Sequence, residues 1–386
     1  MASFLTTKRV KNYCLVLIVV NSLMIALSFA RAGSGNLSGA PFGGDFIEFY
    51  NAGRILNHYG PQRLYDFQLQ QDLIQEFIPG FSVPYVTPPY VAILFSPLAL
   101  LPFSFAFLIW IFISVALYAG AVSLIARLEL LPRDMTLLIC LAFPPFLMLA
   151  IAGGQISAIG CFIFALWIYL MKRERKFLAG IVLGLILYKP TLAVFVAPTL
   201  LLGRQFRMLF GFGAVSAVLV ALTIWMLGPS GSTQYLVILR EFSSLVGQGY
   251  TPASMHVDIA AMVRQIIHVD VRYVIMLMGL PFVYLLRNNP ERTILPTLLF
   301  NSYAPTYDLI LLIPLLVLTY RSVNRNLLIV LFVSSFLTVP LCQFTGIQII
   351  TPVLLVICYV LCLRNRSIKE IGSVGPIGPI SKPCPL

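Results

Sequence analysis

A small set of polar residues interrupts a chain that is otherwise strongly apolar, and their types suit proton transfer and anion binding. Asp45 follows two consecutive glycines, and Asp308 ends the segment NSYAPTYD. Lys189 precedes a proline in the middle of a long apolar run. A positioned carboxylate can accept a proton, and a lysine in apolar surroundings is costly unless it faces water, a partner or an anionic ligand. These three residues are the first candidates for a functional site.

Each of the three also has a purely structural explanation. Asp45 stands where the N-cap of a following helix is expected, and Asp308 comes soon after Pro305, where a cap is equally well placed. Lys189 could instead extend along a helix end and place its amine in water. For Asp45 the two explanations are compatible, because a capping bond would hold the carboxylate in place while the helix dipole lowers its pKa.

Gln155 and His256 are further polar candidates. Gln155 lies beside two glycines in AGGQIS (152–157), where it could hydrogen-bond a polyol or form the tip of a tight turn. His256 could act as a base or contact a phosphate, although a single histidine in a loop usually does neither. No DxD, HxH or GxSxG pattern occurs, so neither a metal site nor acyl transfer is indicated. The seven cysteines lie mostly in apolar runs without a CxxC pair, as packing residues do.

The elements that must position these residues are those of a membrane protein. Of the 386 residues 59% are hydrophobic and only 10% are charged, whereas soluble proteins carry about 25% charged residues. Many apolar runs are long enough to cross or enter a bilayer. We predict passes at 13–31, 103–126, 135–152, 155–171, 177–188, 191–203, 208–228, 271–286, 293–303, 306–320, 327–344 and 347–363. An even number of passes places both termini on one side, and a shorter run at 91–101 is interfacial or re-entrant.

The charge distribution orients this arrangement. All but seven of the 26 Lys and Arg residues fall on the side of the N-terminus, whereas nine of the 14 Asp and Glu residues fall on the opposite side. Basic residues concentrate on the cytoplasmic side of membrane proteins, so both termini are expected in the cytoplasm. The net charge of +12 then forms a cytoplasmic rim and needs no nucleic-acid partner. The first apolar run is expected to be an uncleaved span, although a signal peptide would also have a basic start.

Two polar loops, 32–90 and 229–270, are therefore predicted outside the cytoplasm. The first contains an amphipathic helix at 45–58 whose aromatic face suits the membrane interface, and a second helical piece at about 66–77. The runs 177–203 and 293–320 are predicted as hairpins, with Lys189 and residues 301–308 at their outer tips. Interrupted apolar segments of this kind often mark membrane binding sites. We predict one transmembrane domain over 1–363 and a disordered cytoplasmic tail at 364–386.

Five quoted segments together resemble one family. GGDFIEFYNAGRILNHYGPQRLYD, YVTPPYVAILFSPLALLP, GGQIS, LGLILYKPTLAVFVAPTLLL and SYAPTYDL occur in the order seen in glycosyltransferase family 87, a group of mannosyltransferase-like membrane enzymes of the GT-C class. The resemblance covers most of residues 40–320, and the first loop and the Lys-Pro segment are its most specific parts. It implies an all-α polytopic membrane fold with roughly 10–12 transmembrane or re-entrant helices and with helices in the extracytoplasmic loops.

The resemblance also implies roles for the polar residues. It implies an inverting transfer of a sugar, with mannose expected, from a polyprenyl-phosphate donor to a glycan or glycolipid hydroxyl outside the cytoplasm, by a protein of the bacterial inner membrane. The donor is a substrate, and no metal or other cofactor is expected. The expected general base is Asp45. The expected phosphate ligands are Lys189, Arg54 and Arg264. The expected sugar or acceptor contacts are Tyr50, Tyr65, Gln155, His256 and Asp308.

One part of the sequence departs from the family pattern, and other functions remain alternatives. The family often shows an Asn-Gln-Ser-like motif before an arginine of the later loop, but ASMHVDIAAMVRQ (253–265) lacks the Asn-Gln. A polysaccharide ligase or polymerase would use arginines and a histidine in one late outer loop, and residues 229–270 contain them. A transporter would show repeats and polar residues on both faces of its cavity. The Asp45 loop and the Lys-Pro break favour the transferase.

Overall fold

A computed structural model describes residues 6–33, 43–77, 79–80, 83–143, 153–249, 251–320, 325–345 and 348–370. In these ranges the protein is helical, and the one β-type contact is an isolated antiparallel bridge between His256 and Pro305. This confirms the predicted all-α class. A continuous apolar core extends through the described part from Val10 to Leu361. The wider domain boundaries stay a prediction.

The described residues form α-helices joined by short 3₁₀ turns. The α-helices are α1 (Thr7–Gly33), α2 (Phe46–His58), α3 (Phe67–Gln75), α4 (Pro89–Phe95), α5 (Phe103–Ala126), α6 (Arg133–Ala142), α7 (Ser157–Lys172), α8 (Lys176–Gly184), α9 (Ala193–Leu202), α10 (Phe206–Gly247), α11 (Ile259–Ile267), α12 (Arg272–Met278), α13 (Leu280–Leu286), α14 (Ile294–Leu299), α15 (Ile313–Thr319), α16 (Arg325–Thr345) and α17 (Ile350–Glu370). The 3₁₀ turns are Pro61–Arg63, Leu98–Leu100, Leu185–Tyr188, Pro190–Leu192, Ala253–Met255, Pro290–Thr293 and Thr306–Leu312.

Helices occur within each of the predicted apolar passes, but several are short or broken. Within the described ranges, α5 and α10 are long and apolar enough to cross a membrane, and shorter apolar helices of 10–17 residues accompany them. The predicted boundary between span and loop at residue 228 coincides with a kink in α10, where Gly228 has a non-helical backbone before Pro229. Most of the predicted pass 135–152 beyond α6 lies outside the described residues. The number of passes stays a prediction.

The aromatic helix of the first loop is buried in protein, which corrects the expectation that it lies on the membrane interface. Phe46 and Phe49 of α2 are almost fully buried, and the Phe46 ring lies 5.3 Å from that of Phe107 on α5. A Cβ on Gly53 would lie 2.6 Å from the Phe95 carbonyl oxygen, so α4 touches the α2 backbone. The aromatic face therefore packs against α4 and α5, because these proline-bounded segments fold back over it.

The Lys-Pro interruption occurs at the predicted place, but its arms pack differently from a simple hairpin. Lys189 separates the 3₁₀ turns Leu185–Tyr188 and Pro190–Leu192. Helix α8 packs along α10, where Cβ atoms on Gly180 or Gly211 would lie 1.9 Å and 2.3 Å from backbone oxygens of the other helix. Helix α9 packs mainly against α13. The two arms diverge because small residues favour close contact with α10.

The second interruption lies beside the first. After α14 the chain turns through residues 300–305 into the 3₁₀ turn Thr306–Leu312, which packs against α7. At the end of the chain, α17 continues to Glu370, whereas the disordered tail was predicted to begin at 364. The first helix-breaking residue after 363 is Gly372, so nothing in the local sequence stops the helix earlier. Residues 371–386 lie outside the described part.

Candidate active site

Asp45 directs its carboxylate to a neighbouring segment and does not cap its own helix. It precedes α2 with a helical backbone (φ −83°, ψ −21°), and its side chain makes no capping hydrogen bond. Its N–H donates to the Gly153 carbonyl at 3.2 Å, and its carboxylate accepts a hydrogen bond from the Gln155 side-chain amide. Burial raises the pKa of Asp45, and the Gln155 hydrogen bond partly offsets this by lowering it. The Asp45 carboxylate is thus held by a residue outside its own helix. The N-capping bond, which was one of the two explanations that the sequence offered for Asp45, is absent.

Glu48 is a site residue that the sequence reasoning missed. It lies one turn after Asp45 on α2, is half-buried, and has no hydrogen bond or ion pair with any described residue. Burial raises the pKa of Glu48 well above its ordinary value, the Asp45 charge raises it further, and the Lys189 charge lowers it. Both Asp45 and Lys189 therefore act electrostatically on one carboxylate. The i,i+3 spacing from Asp45 was the available signal.

Lys189 is paired with Asp308, which the sequence had suggested as a sugar contact. Asp308 is buried, its Oδ2 accepts from the Lys189 ammonium, and its Oδ1 accepts from Ser157 Oγ at 3.2 Å. The ammonium also lies 5.6 Å and 5.3 Å from the ring centroids of Tyr303 and Tyr307. A counter-ion and two aromatic faces explain how a lysine is accommodated inside the protein. Asp308 is therefore the ion-pair partner of Lys189.

Tyr303 and Tyr307 also escaped the sequence reasoning. Both belong to the 301–308 tip, where the segment SYAPTYD itself was the signal. Both are half-buried, like Lys189 between them. The charges of Asp45 and Glu48 act on both hydroxyl groups, so the two rings belong to the same partly open cluster as these carboxylates.

His256 lies one layer behind this cluster. Its Nε2 is 2.7 Å from Thr251 Oγ1, and its Nδ1 is 3.2 Å from Asp258 Oδ2. Its ring contacts the Tyr303 ring at a centroid distance of 5.0 Å. Both ring nitrogens are engaged and the side chain is buried, so His256 supports Tyr303 and has no free nitrogen for a substrate.

The two arginines predicted as phosphate ligands are engaged elsewhere. Arg54 forms an ion pair with Glu76 at 2.9 Å and stacks over the Phe77 ring. Arg264 is buried and donates to the Val246 carbonyl at the end of α10. These contacts tie α2 to the end of α3 and α11 to α10.

The two tyrosines predicted as sugar contacts are packing residues. The Tyr50 hydroxyl donates to the Leu101 carbonyl at 2.7 Å. The Tyr65 hydroxyl donates to the Thr87 carbonyl at 2.7 Å, and its ring stacks on Tyr235 at 4.4 Å. Both rings are buried, so the described structure brings Asp45, Gln155, Lys189 and Asp308 together and places Tyr50 and Tyr65 outside this set. Among the described residues no three His, Cys, Asp or Glu side chains are grouped as metal ligands.

No ion pair among the described residues joins the predicted cytoplasmic side to the predicted outer side. Lys11 pairs with Asp134, and Lys172 pairs with Glu291, all four predicted as cytoplasmic. Every other ion pair among the described residues also joins two residues predicted on the same side.

The fold defines a class of proteins built from apolar helices. In this protein the broken helical segments bring carboxylates and the paired Lys189 ammonium into one half-open cluster. The chain belongs to glycosyltransferase family 87, whose family model matches residues 85–300. Asp45 and Asp308 lie outside that range, so their place in the site rests on the geometry described above.

The chain is also similar to a curated protein from Mycobacterium tuberculosis described as a polyprenol-phosphate-mannose-dependent alpha-(1-2)-phosphatidylinositol pentamannoside mannosyltransferase. The two are 32% identical over 92 residues, which is 23% of this chain and 20% of the relative. The similarity therefore spans about a fifth of that protein's length. No solved structure matches the chain.

Proposed function

We propose that the protein is a multi-pass membrane glycosyltransferase that moves a sugar, mannose in the first instance, from a polyprenyl-phosphate donor to a hydroxyl group of a lipid- or glycan-linked acceptor. Membership of glycosyltransferase family 87 supports the reaction class. The name of the M. tuberculosis relative supports the choice of donor and of a glycolipid acceptor.

One observation carries the proposal: the half-buried Asp45 carboxylate, held by an amide, and the fixed Lys189 ammonium both act electrostatically on Glu48. Asp45 accepts from Gln155 and forms no ion pair with a described cation, so its charge remains available for a proton. The Glu48 carboxylate responds to both Asp45 and Lys189. A general base and a cation at one place are the two groups that displacement of a phosphate from a sugar requires.

The proposed step is a single inverting displacement at the anomeric carbon. The acceptor oxygen forms a bond to that carbon while the bond from the carbon to the phosphate oxygen of the donor breaks. The hydroxyl proton passes to the Asp45 carboxylate, and the polyprenyl phosphate leaves with the electron pair of the broken bond. One carboxylate suffices, and general base catalysis contributes about 10²- to 10⁴-fold in rate.

Lys189 is suited to the leaving phosphate. An ammonium has three donors, one of which is directed to Asp308, so others remain for phosphate oxygens. Because Asp308 and two tyrosine rings hold it, the ammonium needs little reorganisation when negative charge develops. Arg54 and Arg264 contribute nothing to this step, since their guanidinium groups are engaged elsewhere.

The proposed site faces away from the cytoplasm, with both termini inside. Cytosolic nucleotide sugars cannot reach such a site, whereas a lipid-linked donor brings its sugar to it with the lipid. The concentration of Lys and Arg residues on the side of the termini supports this orientation.

The test is sugar transfer by the purified protein in liposomes, with radiolabelled polyprenyl-phosphate-mannose and a glycolipid acceptor. We expect Asp45→Asn to reduce kcat by at least about 100-fold while the donor still binds. Asp72→Asn, on the exposed side of α3, is the matched control and should retain activity. An active Asp45→Asn enzyme would exclude Asp45 as the base. Transfer only from a polyprenyl-diphosphate glycan would instead favour a ligase or polymerase.

A further inference from the structure

We infer that residues 153–157 position both reactive groups of the proposed site, Gln155 by orienting the Asp45 carboxylate and Ser157 by orienting the Lys189 ammonium through Asp308. The inference rests on the proposed function and deepens it. It reassigns Gln155 from a sugar contact to a positioning residue, and it adds Ser157, which the sequence reasoning did not consider.

The first half of the evidence concerns Asp45. The segment contacts this residue twice, because the Gly153 carbonyl accepts from the Asp45 N–H at 3.2 Å and the Gln155 amide donates to the Asp45 carboxylate. Gln155 is itself buried. With backbone and carboxylate both held by one short segment, Asp45 has a defined orientation that its own helix does not provide.

The second half concerns Lys189. Two residues after Gln155, the Ser157 hydroxyl donates to Asp308 Oδ1 at 3.2 Å, and Asp308 Oδ2 accepts from the Lys189 ammonium. Ser157 and Asp308 are both buried. The carboxylate therefore has one oxygen fixed by the segment and the other committed to the lysine, which sets the direction of the ammonium.

The segment is rigid enough to act as a common reference. The Gly154 carbonyl accepts from Trp110 Nε1 at 2.9 Å, and Gly154 has a left-handed backbone with φ +69°. A Cβ at this position would lie 2.5 Å from the Phe46 Cβ. Only glycine fits, and α7 begins directly afterwards at Ser157. A shift of about 1 Å between reacting groups can cost about 100-fold in rate, so a shared support has a kinetic value.

The contacts are tested without substrate, by thermal unfolding of the purified protein in detergent. We expect Asp45→Ala with Gln155→Met, and Asp308→Ala with Ser157→Ala, to lower Tm by less than the sums of the single changes, because each pair shares one contact. Gln155→Met with Ser334→Ala, on α16, is the control pair and should be additive. Additive shifts in the first two pairs would overturn the inference.

Kinetics in the mannosyl-transfer assay test the positioning itself. Gln155→Met keeps the side-chain volume, and we expect a fall in kcat of about 10- to 100-fold with donor KM little changed. The acid limb of the pH profile should also move to higher pH, because the hydrogen bond that lowers the pKa of Asp45 is lost. A raised donor or acceptor KM with an unmoved acid limb would show that Gln155 contacts sugar and would overturn this half.

Ser157→Ala should raise donor KM by about 5-fold, the value of one hydrogen bond, with the acid limb unmoved. Ser157→Thr, which keeps the hydroxyl group, should have the donor KM of the unmodified protein. Ser334→Ala removes a comparable buried hydroxyl that donates to the Leu331 carbonyl, and should change nothing. Unchanged donor KM in Ser157→Ala, or no rescue by threonine, would overturn the second half.

The two kinds of failure are distinguishable. If the unmodified protein transfers sugar but the variants behave like the Ser334→Ala control, the positioning inference is wrong and the proposed function stands. If the unmodified protein transfers nothing from any polyprenyl-phosphate sugar while the unfolding pairs remain coupled, the contacts stand but the proposed function and the inference built on it both fall.

Discussion

Asp45 and Glu48 present two carboxylates on one turn of α2, and only Asp45 is held by a hydrogen bond within the described structure. Burial raises the pKa of both, that of Glu48 well above its ordinary value. The Asp45 charge raises the Glu48 pKa further, because two negative charges close together are unfavourable.

We expect the pH dependence of kcat/KM to reflect the raised pKa of Asp45. A base works only when it is ionised, so activity should be lost as pH falls through a value above about 3.9, that of an ordinary aspartate. Glu48→Gln should leave this acid limb in place, because burial of Asp45 is what raises its pKa. The measurement is kcat/KM against pH for both proteins. An acid limb at or below the ordinary aspartate value would contradict the assignment.

Removal of the Lys189 charge and removal of the Arg54 charge should have different effects on activity. Loss of Lys189 alone would leave Asp308 buried and unpaired, so the informative variant is Lys189→Met combined with Asp308→Asn. We expect it to lower kcat/KM for the donor by at least about 10-fold, because a charged hydrogen bond to phosphate is lost. Arg54→Met should leave the donor KM unchanged while lowering Tm. If Arg54→Met and the Lys189→Met, Asp308→Asn variant lowered kcat/KM for the donor equally, the assignment of phosphate binding to Lys189 and not to Arg54 would be refuted.

The turn before α7 shows how a short element determines the place of distant groups. Its glycine carbonyls accept from Asp45 and Trp110, and its side chains reach Asp45 and Asp308. Sequence reasoning found the glycines and Gln155 but left open a tight turn or a sugar contact. The structure contains the turn, and the amide faces a carboxylate 110 positions away in the chain.

Gly154→Ala is expected to disrupt this turn. The added Cβ would meet the Phe46 Cβ at 2.5 Å and would also force a side chain into φ +69°. Gly249→Ala is a matched control, since Gly249 has φ +87° but open space around it, so it isolates the backbone strain of about 1–2 kcal/mol. Gly154→Ala should lower Tm more than Gly249→Ala and abolish transfer. Similar Tm values for the two variants would mean that Gly154, in the turn before α7, packs less closely against Phe46 of α2 than described.

Across the whole molecule, the site depends on which helix ends share a side of the membrane. Each described ion pair joins two residues predicted on the same side of the membrane, and the assignment of these sides to inside and outside rests on the charge asymmetry. Helix α8, which leads to the Lys-Pro break, packs closely on α10 at Gly180 and Gly211.

Cysteine labelling tests this orientation. We expect Gln68→Cys, exposed on α3, to react with a membrane-impermeant maleimide in intact cells. Glu174→Cys, exposed between α7 and α8, should react only after permeabilisation. The described native cysteines are buried, and a background with Cys362 and Cys384 replaced by alanine serves as the control. Labelling of both positions from the same side would exclude the proposed topology.

The sequence by itself determined the helical, apolar class, the end of an apolar run at residue 228 and the breaks at Lys189 and 301–308, because hydrophobic runs, prolines and glycines act over a few residues. Only the tertiary structure decided which partner each polar group takes. Lys189 and Asp308 are 119 positions apart, and Ser157 and Asp308 are 151 apart. It also decided that α2 is buried, since an amphipathic pattern indicates an apolar neighbour without distinguishing protein from lipid.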